Sequence, residues 1–195
     1  MPFHKEQVDL INSKLREKLF DQPRFANQQI FGIANIIHVS EDEELDKSFP
    51  AIYRDHEAMM IPLDDSYHLM LYHMKSSSRF ENVEATFGDG SDIREIASMK
   101  MVVFGNRSRL NLSPEELESF IILAMPSEFM KSELSGVKID RLSVEVNGSD
   151  LDSLSVFGED FSGVPFRLGP NEFLLKIEYN LISVFRRSCI NLCDC

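Results

Sequence analysis

Five histidines and three cysteines are the residues of this chain best suited to acid–base or metal chemistry. His56 directly follows Asp55, and Asp64 and Asp65 lie just before His68. A carboxylate close to an imidazole is a pairing that general acid–base catalysis and metal ligation both use. Asp55, His56, Asp64, Asp65 and His68 would form such a group if their loops converged, although nothing in the spacing requires it. His68 and His73 are an odd number of residues apart, so within one strand they point to opposite faces and cannot share a metal ion. Surface or hydrogen-bonded histidines are the plainer reading, because strongly perturbed groups are a minority of titratable residues. Cys189, Cys193 and Cys195 all fall in the last seven residues. They could hold zinc only with a fourth ligand from elsewhere, including a neighbouring subunit, and their spacing is not that of a zinc knuckle. A terminus that packs or stays free is the simpler alternative, and an odd number of thiols suits a reducing compartment better than a disulfide framework.

Other motifs are thinner. Gly88-x-Gly90 lacks the third glycine and following helix of a dinucleotide fingerprint, and no G-K-[ST] phosphate loop is present. Asp89-Gly90-Ser91-Asp92 lacks the ligand spacing and closing Glu of a calcium loop and reads as a turn. There is no G-x-S-x-G, no H-E-x-x-H and no cysteine with a convincing histidine partner. Asn106-Arg107-Ser108 and Asn147-Gly148-Ser149 match the glycosylation pattern, and both read as chance matches. No residue is therefore assigned a catalytic, cofactor-binding or metal-ligating role, and no cofactor is expected.

The elements that would position such residues follow from periodicity. Val8, Ile11, Leu15 and Leu19 recur three or four apart and predict an amphipathic helix over Lys5 to Phe20, ended by Pro23. Gln28 to Val39 is β-branched and aromatic and reads as one largely buried strand, with Gly32 marking a bulge or close approach. The run Glu41 to Asp46 reads as a solvated loop. Phe49 to Tyr53 reads as a short strand with Pro50 at its beginning or on an edge. Ser66 to Met74 alternates, with Tyr67, Leu69, Leu71 and His73 on one face and His68, Met70, Tyr72 and Met74 on the other. The polar stretch Lys75 to Arg79 separates it from a weaker strand, Phe80 to Phe87, carrying Val83, Ala85 and Phe87. Met99 to Phe104 reads as a central strand.

Ser113-Pro114-Glu115-Glu116 is a capping box with proline at the first helical position, so a helix is expected from Ser113 to about Met125, burying Leu117, Phe120, Ile121 and Ala124. Val137 to Val146 reads as a strand, Asn147-Gly148 as a turn, and Leu151 to Gly169 as an irregular segment anchored by Val156, Phe157, Phe161 and Phe166. Glu172 to Phe185 is a long strand with Phe173, Leu175, Ile177, Tyr179 and Leu181 on one face. Strands run consecutively rather than alternating with helices. The expected class is α+β: a mainly antiparallel sheet with an N-terminal helix and a second, capped helix packed on it.

The 195 residues suit a single domain and can bury a core without disulfides or metals. Thirty-two acidic against 20 basic residues leave a net charge of −12, which disfavours a sequence-reading nucleic-acid binder or an anionic-membrane binder. DNA that merely passes such a surface is not excluded. The start Met1-Pro2-Phe3-His4-Lys5-Glu6 has no basic flank or apolar run, so no secretory signal is expected. The apolar stretches Met99 to Phe104 and Phe120 to Met125 are too short to span a bilayer.

The end Phe173-Leu174-Leu175-Lys176-Ile177-Glu178-Tyr179, leading into Phe185-Arg186-Arg187-Ser188-Cys189, resembles termini of virion proteins from crAss-like and other Bacteroidetes phages. The order of an N-terminal helix, a strand meander, the strand Met99 to Phe104 and the helix from Ser113 is similar to the tail-terminator and tail-completion fold. The resemblance implies a neck or tail ring protein, a hexamer or dodecamer between portal and tail through which DNA leaves the capsid. It implies a location in the virion after assembly in the host cytoplasm, with portal, adjacent ring or tail tube proteins as partners. Residues 1–126 would then be the terminator-like core, and 137–195 added strands and a docking element. Two rivals remain from the residues themselves. One is a small enzyme using His56, His68 and Asp55, Asp64 or Asp65, with or without a metal. The other is an adaptor whose acidic face, Glu41 to Asp46, docks a basic partner.

Overall fold

The computed structural model describes residues 2–40, 46–54, 57–61, 66–84, 91–125, 130–134, 137–151, 160–161 and 168–185. Helix α1 (Pro2–Leu15) turns its apolar stripe inward, with Val8, Ile11 and Leu15 fully buried. A π-helical turn, Arg16–Phe20, follows and brings both Leu19 and Phe20 into the core. Pro23 opens a 3₁₀ turn, Pro23–Phe25, where its missing amide is no loss. Phe25 meets Phe20 edge-on, with ring centroids 5.1 Å apart.

The strands are β1 (Gln28–Ile33), β2 (Asn35–Ser40), β3 (Asp46–Arg54), β4 (Glu57–Met60), β5 (Leu69–Glu84), β6 (Ser91–Asn106), β7 (Met130–Leu134), β8 (Val137–Leu151) and β9 (Glu172–Phe185). A short helix, α2 (Arg107–Leu110), and the capped helix α3 (Pro114–Ala124) lie between β6 and β7. The main sheet has the order β1-β5-β6-β9-β8-β7, and a smaller one the order β2-β3-β4. Only β1 and β5 pair in parallel among the described strands, so the expected α+β class with a mainly antiparallel sheet is what the chain adopts. The strands from Val137 onward extend the main sheet itself, and β9 lies hydrogen-bonded along β6 from Asn106 to Ile93.

Alternation along the long strands builds two cores, one on each face of the main sheet. Leu69 and Leu71 of β5, Met99, Met101 and Val103 of β6, and Leu175, Ile177, Tyr179 and Leu181 of β9 pack under α1 and α3. Met70, Tyr72, Val102, Phe104 and Leu174 face the other way, against Ala34, Ile61, Phe161 and the small sheet. Each fully buried aliphatic side chain there contributes roughly 1.5–3 kcal/mol of transfer free energy. Ser113 caps α3 as expected: its hydroxyl accepts from the Glu116 amide at 3.1 Å, and the Glu116 carboxylate accepts from the Ser113 amide at 2.8 Å.

Several boundaries differ from the sequence reading. The single strand expected over Gln28 to Val39 divides at Ala34, and its halves enter different sheets. The pairing of β1 with β5 is irregular between Ile30 and Ile33, so Gly32 does mark a bulge. Pro50 lies inside β3, the middle strand of the small sheet, rather than at a strand start or edge. Its carbonyl accepts from the Ile61 amide, 2.8 Å away and just beyond the end of β4. In an extended residue the amide and carbonyl point the same way, so the donor proline lacks is missing only where β4 has run out. The polar stretch Lys75 to Arg79 does not interrupt a strand: β5 runs through it, with a register shift between Lys75 and Ser77. Asn147-Gly148 is not a hairpin turn but a second irregularity, within β8. On α3, Leu117, Ile121 and Ala124 are buried, whereas Phe120 is 42% exposed, because the continuous apolar run 120–125 wraps past the buried face. Ala85, Phe87, Val156, Phe157 and Phe166 lie outside the described residues, as do 41–45 of the acidic run.

Candidate assembly site

Of the histidines singled out as candidate ligands or bases, His68 and His73 lie among the described residues and His56 does not. Asp55, His56, Asp64, Asp65, Cys189, Cys193 and Cys195 lie outside the described residues, as do Gly88, Asp89 and Gly90. His68 sits just before β5 with its Nδ1 3.2 Å from the carbonyl of Arg24. His73 is fully buried on the helix side of β5, its Nδ1 2.8 Å from the Tyr179 hydroxyl and its Nε2 2.9 Å from Asn12 Oδ1. Asn12 gives its amide to the Phe31 carbonyl at 3.0 Å, so Oδ1 is the end that faces His73. The imidazole therefore carries its hydrogen on Nε2 and accepts from Tyr179 on Nδ1. Burial pushes the His73 pKa down to about 3 and the Tyr179 hydroxyl up. The trio is a neutral pin joining α1, β5 and β9.

Two further polar clusters were not visible from spacing. Under the first turns of α1, His4 Nε2 lies 2.7 Å from Lys75 Nζ and 2.9 Å from Glu95 Oε1, and Gln7 donates to Ser183 at 2.6 Å. With its Nδ1 facing Gln7 Oε1, a neutral His4 accepts from Lys75 and a protonated one donates to Glu95. Burial raises the Glu95 carboxyl, but the bonds from His4 and Ser78 and the charges of His4 and Lys75 outweigh it and hold the pKa below its ordinary value. On the opposite face, buried Asp160 accepts from Tyr72 at 3.0 Å and from Lys100 at 2.8 Å, which ties residues 160–161 to the sheet. Phe161 then packs edge-on against Phe49 of β3. Among the described residues no three His, Cys, Asp or Glu side chains are placed to hold a metal ion.

What the main sheet offers instead is open backbone at its rims. β1 accompanies β5 only as far as the Ile33–His73 pair, and β7 accompanies β8 only from Val137 to Leu142. Among the described residues, the outer side of β5 from Lys75 to Glu84 and that of β8 from Ser143 to Leu151 have no strand partner. Registers across the sheet give the relative heights. One row runs Phe80, Glu95, Ser183, Leu142, Met130, and the next but one runs Asn82, Ile93, Phe185, Ile139, Ser132. Near the other end, Ile30, Leu71, Val103, Leu175 and Leu151 form a row. Thus β7 fills the lower part of one rim, β1 fills the upper part of the other, and each leaves a notch at the height the other occupies.

The two notches differ in character. On β8 the edge is blunted by the irregularity at Asn147, by a Ser149–Glu118 hydrogen bond to α3 and by the Lys176–Asp150 ion pair at 2.9 Å. On β5 the pairing with β6 is regular from Ser77 to Glu84. There Phe80 is 62% exposed, and Glu81 accepts from Arg94 at 2.6 Å and from Arg79 at 3.2 Å. The Arg94 guanidinium, with Arg79 beside it, holds the Glu81 carboxyl below its usual range, so this edge carries a fixed negative charge flanked by cations. Asn12 and Arg16 of the helical segment donate to the carbonyls of Phe31 and Ile30, which ties β1 to that segment.

No helix of the described residues is long and apolar enough to cross a membrane. No protein-family model matches the chain, and no curated protein matches it.

Proposed function

We propose that this chain is a structural virion subunit without catalytic activity. In this reading it forms a homo-oligomeric ring, a hexamer or dodecamer, in the head-to-tail connector or tail-completion region of a phage, joins neighbouring rings and lines the path by which DNA leaves the capsid. The observation that carries the reading is the stepped outline of the main sheet. β1 and β7 occupy opposite rims at different heights, so copies set side by side interlock head-to-tail, with β1 of one and β7 of the next sharing a single strand position. Head-to-tail contacts of this kind generate closed rings when the rotation closes. The net charge of −12 suits a wall that DNA passes without sticking. The order of helix, meander, central strand and capped helix, similar to the tail-terminator fold, supports the same conclusion.

Native mass spectrometry and multi-angle scattering test it, on the chain alone and mixed with phage portal and tail tube proteins. A discrete ring, free or on a partner, is the expected result. A chain that stays monomeric in both settings would overturn the reading.

A further inference from the structure

The geometry points to a specific joint in that ring: β7 of one copy lies in the notch beside residues 77–84 of β5 in the next, and the two chains continue one sheet. This rests on the ring reading and assigns its interface. Three observations select the pair. First, β5 keeps regular pairing with β6 throughout the notch, and among the described residues no strand lies along its outer side there. The β8 notch is interrupted at Asn147 and tied to α3, and two carbonyls of β1 already accept from Asn12 and Arg16. These features disfavour pairing through the β8 notch or the β1 edge.

Second, strand direction and length agree. Traced through the pairings, β7 runs the same way as β5, and its five residues are shorter than the notch. Third, the register matches residue types. In a ring whose axis follows the strands, copies stand at equal height, and the rows of the sheet continue across the joint. Met130 then takes the register position beside Phe80, an apolar residue left 62% exposed on the single chain. Lys131, between Met130 and Ser132, falls at the level of Glu81, and Ser132 at the level of Asn82. At these register positions the sequence sets a basic residue level with Glu81 and an apolar residue level with Phe80, residue types compatible with side-by-side pairing.

Site-specific photo-crosslinking on the full chain tests the joint, with benzoylphenylalanine in place of Phe80 and isotope-labelled and unlabelled copies mixed before assembly. The expected product links position 80 of one copy to residues 130–134 of another. An assembled sample whose intermolecular links map elsewhere, or which shows none, overturns the joint while leaving the ring reading intact. A chain that never assembles, alone or on its partners, overturns both. Charge exchange gives a second readout. Glu81→Lys and Lys131→Glu should each weaken assembly by up to about fivefold per joint, and the double variant should restore it. Two single losses that add in the double variant, with no restoration, would count against the pairing.

Discussion

At the scale of single residues, His73 carries the sharpest consequence. Its folded pKa, about 3 against an ordinary 6.5, is depressed by burial, so the unfolded chain takes up a proton that the folded chain refuses. Stability is therefore fully present above about pH 6.5 and falls by about 1.4 kcal/mol per pH unit as the solution is acidified toward pH 3. The loss begins well above the range in which carboxylates protonate. Urea midpoints measured at pH 7, 6 and 5 should show this slope. His73→Gln should lower stability at pH 7 yet flatten the slope between pH 6 and 5. Equal slopes in the two proteins would show that the imidazole is not held neutral. The sequence placed His73 on the correct face of its strand, since alternation over Leu69 to Met74 suffices for that. It could not disclose the partners, because Asn12 and Tyr179 lie 61 and 106 positions away and only the fold brings them together. The same holds for Asp160, whose bonds to Tyr72 and Lys100 cross 88 and 60 positions.

At the scale of elements, the legible ones were those whose signal is local. The capping box fixed the start of α3, and the alternation of Phe173, Leu175, Ile177, Tyr179 and Leu181 fixed the buried face of β9. What was misread depends on neighbours. Lys75 to Arg79 looks like a break because it is polar, yet a strand at a sheet rim with one side open tolerates polar residues. Asn147-Gly148 carries the composition of a hairpin turn, but β9 continues alongside and absorbs the extra residue as an irregularity instead. The central pair β6–β9 has one tight contact that yields a test. Gly105 lies opposite Phe173, and a methyl group at position 105 would fall closer to the Phe173 ring than carbon atoms approach. Phe173 is buried, so the ring has little room to yield. Gly105→Ala should cost about 1–3 kcal/mol. Adding Phe173→Leu should recover part of that loss in a double-mutant cycle read by thermal melting. Strictly additive losses would mean the two positions do not meet.

At the scale of the whole molecule, the α+β class was legible because consecutive strands and two well-marked helices leave few arrangements. Sheet order was not. Nothing local announces that β9 inserts between β6 and β8, or that Phe31 and Ile36, two strands apart only by Ala34, belong to opposite layers. The rims that carry the proposed assembly emerge only once that order is known. Net charge then decides how assembly responds to salt. In the proposed ring β1 of one copy and β7 of the next share a strand position, so neighbouring copies would repeat about every five strand spacings, roughly 24 Å. Two net charges of −12 at that distance repel by on the order of 10 kcal/mol at 10 mM salt and on the order of 1 kcal/mol at 150 mM, as the screening length shrinks from about 30 to about 8 Å. A cross-strand pair such as Glu81 with Lys131 returns only about 0.2–1 kcal/mol per joint. Repulsion thus wins at low salt, while strand pairing and the burial of Phe80 win once it is screened. Light scattering along a salt titration should show the ring fraction rising from 10 to 150 mM, with duplex DNA unretained at the upper end. Assembly that instead dissolves as salt is added would mean the joint is held mainly by opposite charges, and the strand-paired interface would have to be abandoned.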